Sequence, residues 1–177
     1  MKENIVARRY AKAITGVVRE KASLNKVITD LHNISNVIER SDELKNVFYN
    51  PSIRMKFKEG VLSQLINRLN PAPPINNLLY LILRKDRIKY LGKIIFVLEE
   101  LSDQILNRVR VNVKTAFELN KGETDILRKR FTEVTKKDVI LEVSVDHELI
   151  GGIVTQIGST VFDGSIKNQL RTMYRKI

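Results

Sequence analysis

Apolar residues recur at helical spacing through the first 107 residues of the chain. At 100° per residue, the apolar side chains between Val6 and Val18 fall in one continuous arc, with Arg8, Arg9 and Lys12 outside it. Asn-Pro and Pro-rich breaks separate several of the segments that follow. The pattern predicts six helices, at about residues 6–20, 24–39, 41–49, 53–69, 75–88 and 89–107.

Polar residues predict some details of these helices. Ser52 is expected to cap the fourth helix, because a serine hydroxyl can accept a hydrogen bond from the first turn. His32 lies beside the apolar stripe of the second helix and has no second metal-ligand type at i+4, so we expect it at the surface. The fourth helix is predicted to face inward with Phe57, Val61, Leu62, Leu65, Ile66 and Leu69.

Two of the predicted helices are more apolar than a single core-facing stripe requires. The arc of the first helix is about 160° wide, whereas a surface helix usually needs a little over 100°. In the fifth helix, residues 78–83 are consecutively apolar or aromatic. Such helices are either buried deeply within a bundle or contact their own core on one side and a partner on the other. The sequence pattern leaves both interpretations open.

The hydrophobic period changes after Asn107. Val109, Val111 and Val113 alternate with polar residues, as in a half-buried strand. A helix, three more strands and a final helix capped by Ser165 are predicted after it. The predicted fold class is therefore α+β, with a six-helix bundle over residues 1–107 and a strand-helix-strand-strand-strand-helix domain over residues 108–177.

Composition narrows the classes of partner and reaction. The net charge of +11 suggests nucleic acid, an anionic membrane surface or an acidic protein as partner. The chain has no cysteine, which excludes disulfides and cysteine-ligated zinc. Its opening segment lacks the apolar core and cleavage site of a secretory signal, so the protein is expected to stay on the side of the membrane where it is made.

The glycine-rich segment "ELIGGIVTQIGSTVFDGSIKNQL" does not fit a nucleotide-binding loop. A Walker loop requires Gly-Lys-Ser/Thr, but Ser159 follows Gly158 here, and the spacing of a dinucleotide fingerprint is also missing. Turn geometry explains these residues better, with a hairpin at Gly158 and a turn that leads into the last helix. The residues assigned to this structural turn motif are Gly151, Gly152, Gly158, Asp163, Gly164 and Ser165.

Three segments, taken in order, make the chain similar to a known family. These are "VARRYAKAI" at 6–14, "ELKNVFYNPSIRMKFKEGVLSQL" at 43–65 and "LIGGIVTQIGSTVFDGSIKNQL" at 149–170. The chain resembles the delta subunit of the F-type ATP synthase, the family of the oligomycin-sensitivity-conferring protein. The resemblance covers essentially the whole chain, and the Gly-Gly and Asp-Gly-Ser-Ile-Lys elements are its most specific part.

The resemblance implies a non-catalytic subunit of the peripheral stalk, with no cofactor or metal and with one copy per complex. It implies that the helical domain holds amino-terminal helices of the alpha subunits of the catalytic head, and that the second domain meets the b-type stalk subunits. The subunit would then help the head to resist the torque of the rotor. Carried over by position, the groove for the alpha helix would be lined by Ala7, Tyr10, Ala11, Ile14, Leu78, Leu81 and Ile82.

The resemblance also implies a location and leaves rival classes to test. The protein is expected to be peripheral at the cytoplasmic face of a bacterial inner membrane, or at the stromal face of a plastid thylakoid, associating with the membrane only through the complex. A basic nucleic-acid-binding protein is the alternative, although the strands lack the exposed aromatic residues that stack bases. An unrecognised enzyme is a second alternative, with Asp138, Asp146, His147 and Glu148 as its nearest polar group.

Overall fold

The computed structural model describes residues 2–18 and 21–174. The mixed α+β class is confirmed, and the chain divides into two compact units, Met1–Ser102 and Asp103–Ile177. The predicted boundary at residue 107 therefore lies within the second unit. Asp103, in the last turn of a helix, belongs to this second unit and accepts a hydrogen bond from Arg110 of the first strand at 2.7 Å.

The first unit is helical. Its core is one cluster of buried side chains between Ala7 and Leu98, to which each helix of this unit contributes. A 3₁₀ turn at Ile88–Tyr90 precedes the last helix, which had been predicted to begin at Lys89. The helices are α1 Lys2–Val17, α2 Lys21–Arg40, α3 Asp42–Tyr49, α4 Met55–Leu69, α5 Pro73–Arg84 and α6 Leu91–Ile105.

Two predictions about α4 are wrong. Ser52 does not cap this helix, because its backbone N–H donates to Asn50 Oδ1 at 2.9 Å in the preceding turn, and the helix begins only at Met55. Phe57 and Leu69 are exposed rather than inward. Lys58 occupies the buried position instead, and its Nζ donates to the backbone carbonyl of Phe48 at 3.2 Å, at the end of α3.

The second unit contains a four-stranded mixed sheet in the order β2-β1-β3-β4. β1 runs parallel to β2 and antiparallel to β3, which forms a hairpin with β4. Val111 of β1 is paired with Leu141 on one side and Ile157 on the other, so these side chains share one apolar face. The elements are β1 Arg108–Thr115, α7 Lys121–Thr135, β2 Asp138–Val145, β3 Ile153–Ile157, β4 Thr160–Asp163 and α8 Ile166–Tyr174.

Local sequence explains why α7 and α8 begin where they do. Asn120 and Glu123 form a reciprocal capping box at the start of α7, with both hydrogen bonds at 2.9 Å. Ser165 caps α8 as predicted, since its Oγ accepts from the Asn168 backbone N–H at 3.2 Å.

Candidate partner-binding groove

A groove of about 220 Å³ lies between α1 and α5 on the helical unit. It is predominantly apolar, with Asn77 and the phenol of Tyr10 as its polar groups. Its lining residues are Tyr10, Ala13, Ile14, Val17, Pro74, Asn77, Leu78 and Leu81.

The structure divides the seven residues proposed for the groove into three groups. Leu81 lines the groove and is 46% exposed, so much of its side chain is available to a partner. Tyr10, Ile14 and Leu78 also line it but are largely buried, and they form its floor. Ala7, Ala11 and Ile82 are fully buried in the core and do not line the groove.

Four lining residues were missed by the sequence analysis. Ala13 and Val17 lie at one edge of the apolar arc of α1, and helical spacing places them on the side that faces α5. On α5, Asn77 lies one turn before Leu81 and Pro74 lies two turns before it. Helical spacing relative to Leu81 could have identified these two positions once the exposed side of α5 was known.

Contacts at the two ends of the groove show that α1 and α5 are antiparallel. Val17 at the end of α1 and Pro74 at the start of α5 both line the groove, and both also line an adjoining pocket. At the other end, Arg87 follows α5 and its Nη1 donates to Tyr10 Oη at 3.0 Å. The Arg87 guanidinium also lies 5.9 Å from the centre of the Tyr10 ring, within the range of a cation–π interaction.

The second unit presents a separate apolar surface on α8. Ile166, Leu170 and Met173 are exposed and lie at helical spacing on one side of this helix. Lys167 and Arg171 flank that stripe and are also exposed. The cations at positions 175 and 176 lie outside the described residues.

The turn motif holds the start of β3 against the start of α8. Gly152 has a φ of +82°, and a Cβ there would collide with the carbonyl oxygen of Gly164. At Gly151, a Cβ would lie 2.7 Å from the end of the Ile166 side chain, which would have to move to admit it. The Ile166 backbone N–H donates to the Gly151 carbonyl at 3.0 Å, so the two segments lie directly against each other. Gly158 forms the predicted hairpin tip with a φ of +59°.

Asp163 completes this motif. Its Oδ1 accepts the Ser165 backbone N–H at 2.9 Å. Hydrogen bonds from the hydroxyl and the backbone of Ser165 lower the pKa of the Asp163 carboxyl below its ordinary value. The turns at Gly152 and Gly158 and the hydrogen bonds of Asp163 and Ser165 therefore give the motif a structural explanation.

The polar residues considered for catalysis do not form one cluster. Asp138 begins β2, whereas Asp146, His147 and Glu148 follow its far end, roughly 25 Å away at the rise of a strand. Asp146 Oδ1 accepts the Glu148 backbone N–H at 3.1 Å, and Lys114 lies 3.4 Å from its Oδ2. These interactions lower the pKa of the Asp146 carboxyl, chiefly through the Glu148 backbone. Within the described ranges, no group of three potential metal ligands occurs.

His32 lies at the surface of α2, as predicted. Its Nε2 is 3.0 Å from Glu99 Oε1 on α6, which joins the two helices.

Comparison with known proteins identifies the family. A family profile described as "ATP synthase delta (OSCP) subunit" matches residues 6–177. The chain belongs to this family. The "ATP synthase subunit delta" of Geobacter sp. (strain M21) is 35% identical over 170 residues, covering 96% of this chain and 94% of that protein. The protein of the same name from Anaeromyxobacter sp. (strain Fw109-5) is 33% identical over 172 residues, covering 97% and 96%.

A solved structure shows the same fold. A chain of the Toxoplasma gondii mitochondrial ATP synthase hexamer superposes with a TM-score of 0.67 at 20% identity, with 96% of each chain covered. The family resemblance inferred from the three segments is thereby confirmed, and the protein is a non-catalytic subunit of ATP synthase. The matches give no support to a nucleic-acid-binding protein. Among the described residues, no helix has the length and hydropathy needed to cross a bilayer.

Proposed function

We propose that this subunit joins the catalytic head of the ATP synthase to its peripheral stalk, as an adaptor with one binding surface on each unit. The α1/α5 groove holds an amino-terminal helix of an alpha subunit. The second unit binds the elongated b-type subunits. Each complex contains one copy, at the cytoplasmic face of a bacterial inner membrane, and this copy associates with the membrane only through the complex. The subunit uses no cofactor and binds no nucleic acid.

The groove is the observation that carries this proposal. Its floor is apolar, and Leu81 projects from α5 with nearly half of its surface exposed. An amphipathic helix laid into a hydrophobic groove is a common mode of recognition, with apolar anchors at i, i+3, i+4 and i+7. The antiparallel α1 and α5 provide two parallel walls for such a helix.

The exposed stripe on α8 supports the second half of the proposal. None of the described residues of α8 with an apolar side chain is buried in the second unit. An amphipathic helix with an uncovered apolar side is typical of a surface that packs against another helix. The b-type subunits, as long helices, would offer such a surface.

The test measures binding of the full-length protein to the isolated catalytic head and to purified b-type subunits separately, by analytical ultracentrifugation. Leu81→Asp should weaken the head complex and leave the b complex intact. Leu170→Asp on α8 should have the opposite effect. If either variant lowered both affinities equally while remaining folded, or if neither affinity changed, the two-surface model would be wrong.

A further inference from the structure

The two units share the positive charge of the chain unequally. Residues 1–102 hold 18 lysines and arginines against 10 aspartates and glutamates, whereas residues 103–177 hold 13 against 10. Most of the net charge of +11 therefore lies on the unit that carries the groove. This distribution raises the question of whether the groove itself is bordered by cations.

Two cations continue the walls of the groove at one end. Arg9 lies one turn before Ala13 on α1, and Lys85 lies one turn after Leu81 at the end of α5. Residues four apart occupy the same side of a helix, so each cation extends the row of a lining residue. Because α1 and α5 are antiparallel, the N-terminal direction on α1 and the C-terminal direction on α5 lead to the same end.

No ion pair among the described residues neutralises the charges at this end. Arg9 and Lys85 are both exposed, and neither forms an ion pair among the described residues. Arg87 adds a third positive charge, fixed by its hydrogen bond to Tyr10. Asp86 adds one negative charge, so the described charges at this end remain positive in sum. At the opposite end, Lys26 is the cation among the described residues that line the adjoining pocket beyond Pro74.

We infer that the groove selects an acidic amphipathic helix, whose carboxylates flank one end of its apolar stripe and meet Arg9 and Lys85. This inference rests on the proposed function of the groove and adds the chemistry and orientation of the partner helix. Complementary charges at the border of an apolar contact guide association and disfavour the reversed orientation, because that orientation moves the carboxylates away from both cations. The charge of the helical unit thereby contributes to binding the head.

The experiment uses the full-length protein and two synthetic helical peptides with the same apolar stripe. One peptide carries glutamates beside one end of the stripe, and the other carries lysines at those positions. Calorimetry at about 50 mM salt should show the acidic peptide binding roughly tenfold more tightly. The difference should shrink at about 500 mM salt, because exposed charges are then screened within a few ångströms.

Charge reversal assigns the effect to the groove. Arg9→Glu combined with Lys85→Glu should reverse the preference between the two peptides. The matched control is Arg8→Glu combined with Lys129→Glu, which changes the net charge equally. Arg8 lies about 140° around α1 from Ala13, and Lys129 is on α7. The control should keep the preference for the acidic peptide.

Several outcomes would overturn the inference. Equal binding of the two peptides, or equal effects of the test and control pairs, would show that Arg9 and Lys85 do not select charge. If the test pair instead abolished binding to vesicles containing phosphatidylglycerol and left peptide preference unchanged, these cations would serve a membrane surface. The isolated head separates this inference from the proposed function. Head binding that depends on Leu81 but not on Arg9 and Lys85 refutes the inference alone, whereas no head binding refutes the proposed function.

Discussion

Leu81→Asp is the most direct perturbation of the groove. Two leucines of α5 line the groove, and Leu81 is the more exposed of them. In the free protein the substitution should cost about 2 kcal/mol, of which about 1 kcal/mol comes from the part of the leucine side chain that is already buried there. Leucine is the better helix former by roughly 0.5 kcal/mol. A carboxylate in the last turn of α5 also opposes the helix dipole, by about 0.3–1 kcal/mol. The variant should therefore stay folded.

The cost to binding should be larger. Complete burial of a leucine side chain contributes about 1.5–3 kcal/mol, and the 46% still exposed in the free protein would contribute about half of that on docking. An aspartate at the same place must also lose its hydration inside an apolar contact, which adds about 2 kcal/mol or more. Together these terms predict a loss of about 3–4 kcal/mol, or roughly 100- to 1000-fold in affinity for the head.

The assay is a titration of the isolated head with each variant, together with circular dichroism to verify folding. Phe96→Asp is the matched control, because Phe96 is 61% exposed on α6 and does not line the groove. It should bind like the wild type. Ile82→Asp should unfold the helical unit, since Ile82 is completely buried. A folded Leu81→Asp protein with full affinity for the head would refute the reasoning.

Four further outcomes are expected. Gly152→Ala should destabilise the second unit by about 3 kcal/mol, because the alanine would have a strained φ and its Cβ would collide with Gly164. Gly158→Ala should cost only about 1 kcal/mol, because its φ is also positive but no atom lies within 4 Å of the added Cβ. Hydrogen exchange of the sheet measures both effects. A fragment of residues 1–107 should bind the head about as well as the whole chain and fail to recruit the b-type subunits in ultracentrifugation, since its core is self-contained. The pKa of Asp163 is lowered in the folded state, so its carboxylate stabilises the fold above the ordinary aspartate pKa near 4, and this stabilisation is lost as pH falls through the folded pKa. In a pH series of thermal melts, Asp163→Asn should therefore show a smaller fall in melting temperature at acid pH. Calorimetry should detect no micromolar binding of ATP, and such binding would contradict the assignment of the glycines to turns.

The sequence by itself determined the order and type of the elements. Helical and strand periods are local properties, so the change of period after Asn107 identified the α+β class. Most helix bounds predicted from the sequence are close to those observed, and the three segments taken in order indicated the family that the comparison confirms. The sequence also predicted that turns would require glycine in this segment, and Gly152 and Gly158 do adopt the positive φ that such turns need.

Tertiary structure decided which apolar residues remain available to a partner. Leu81 and Ile82 are adjacent and chemically alike, yet Leu81 is exposed while Ile82 is buried, because successive residues are separated by 100° around a helix that is covered on one side. The same rotation places Lys58 inside and Phe57 outside in α4, contrary to their hydrophobicity. Sequence patterns specify how wide the apolar side of a helix is, but the exposed part of that side depends on which neighbours pack against it. The packing of α1 against α5 therefore determined the groove.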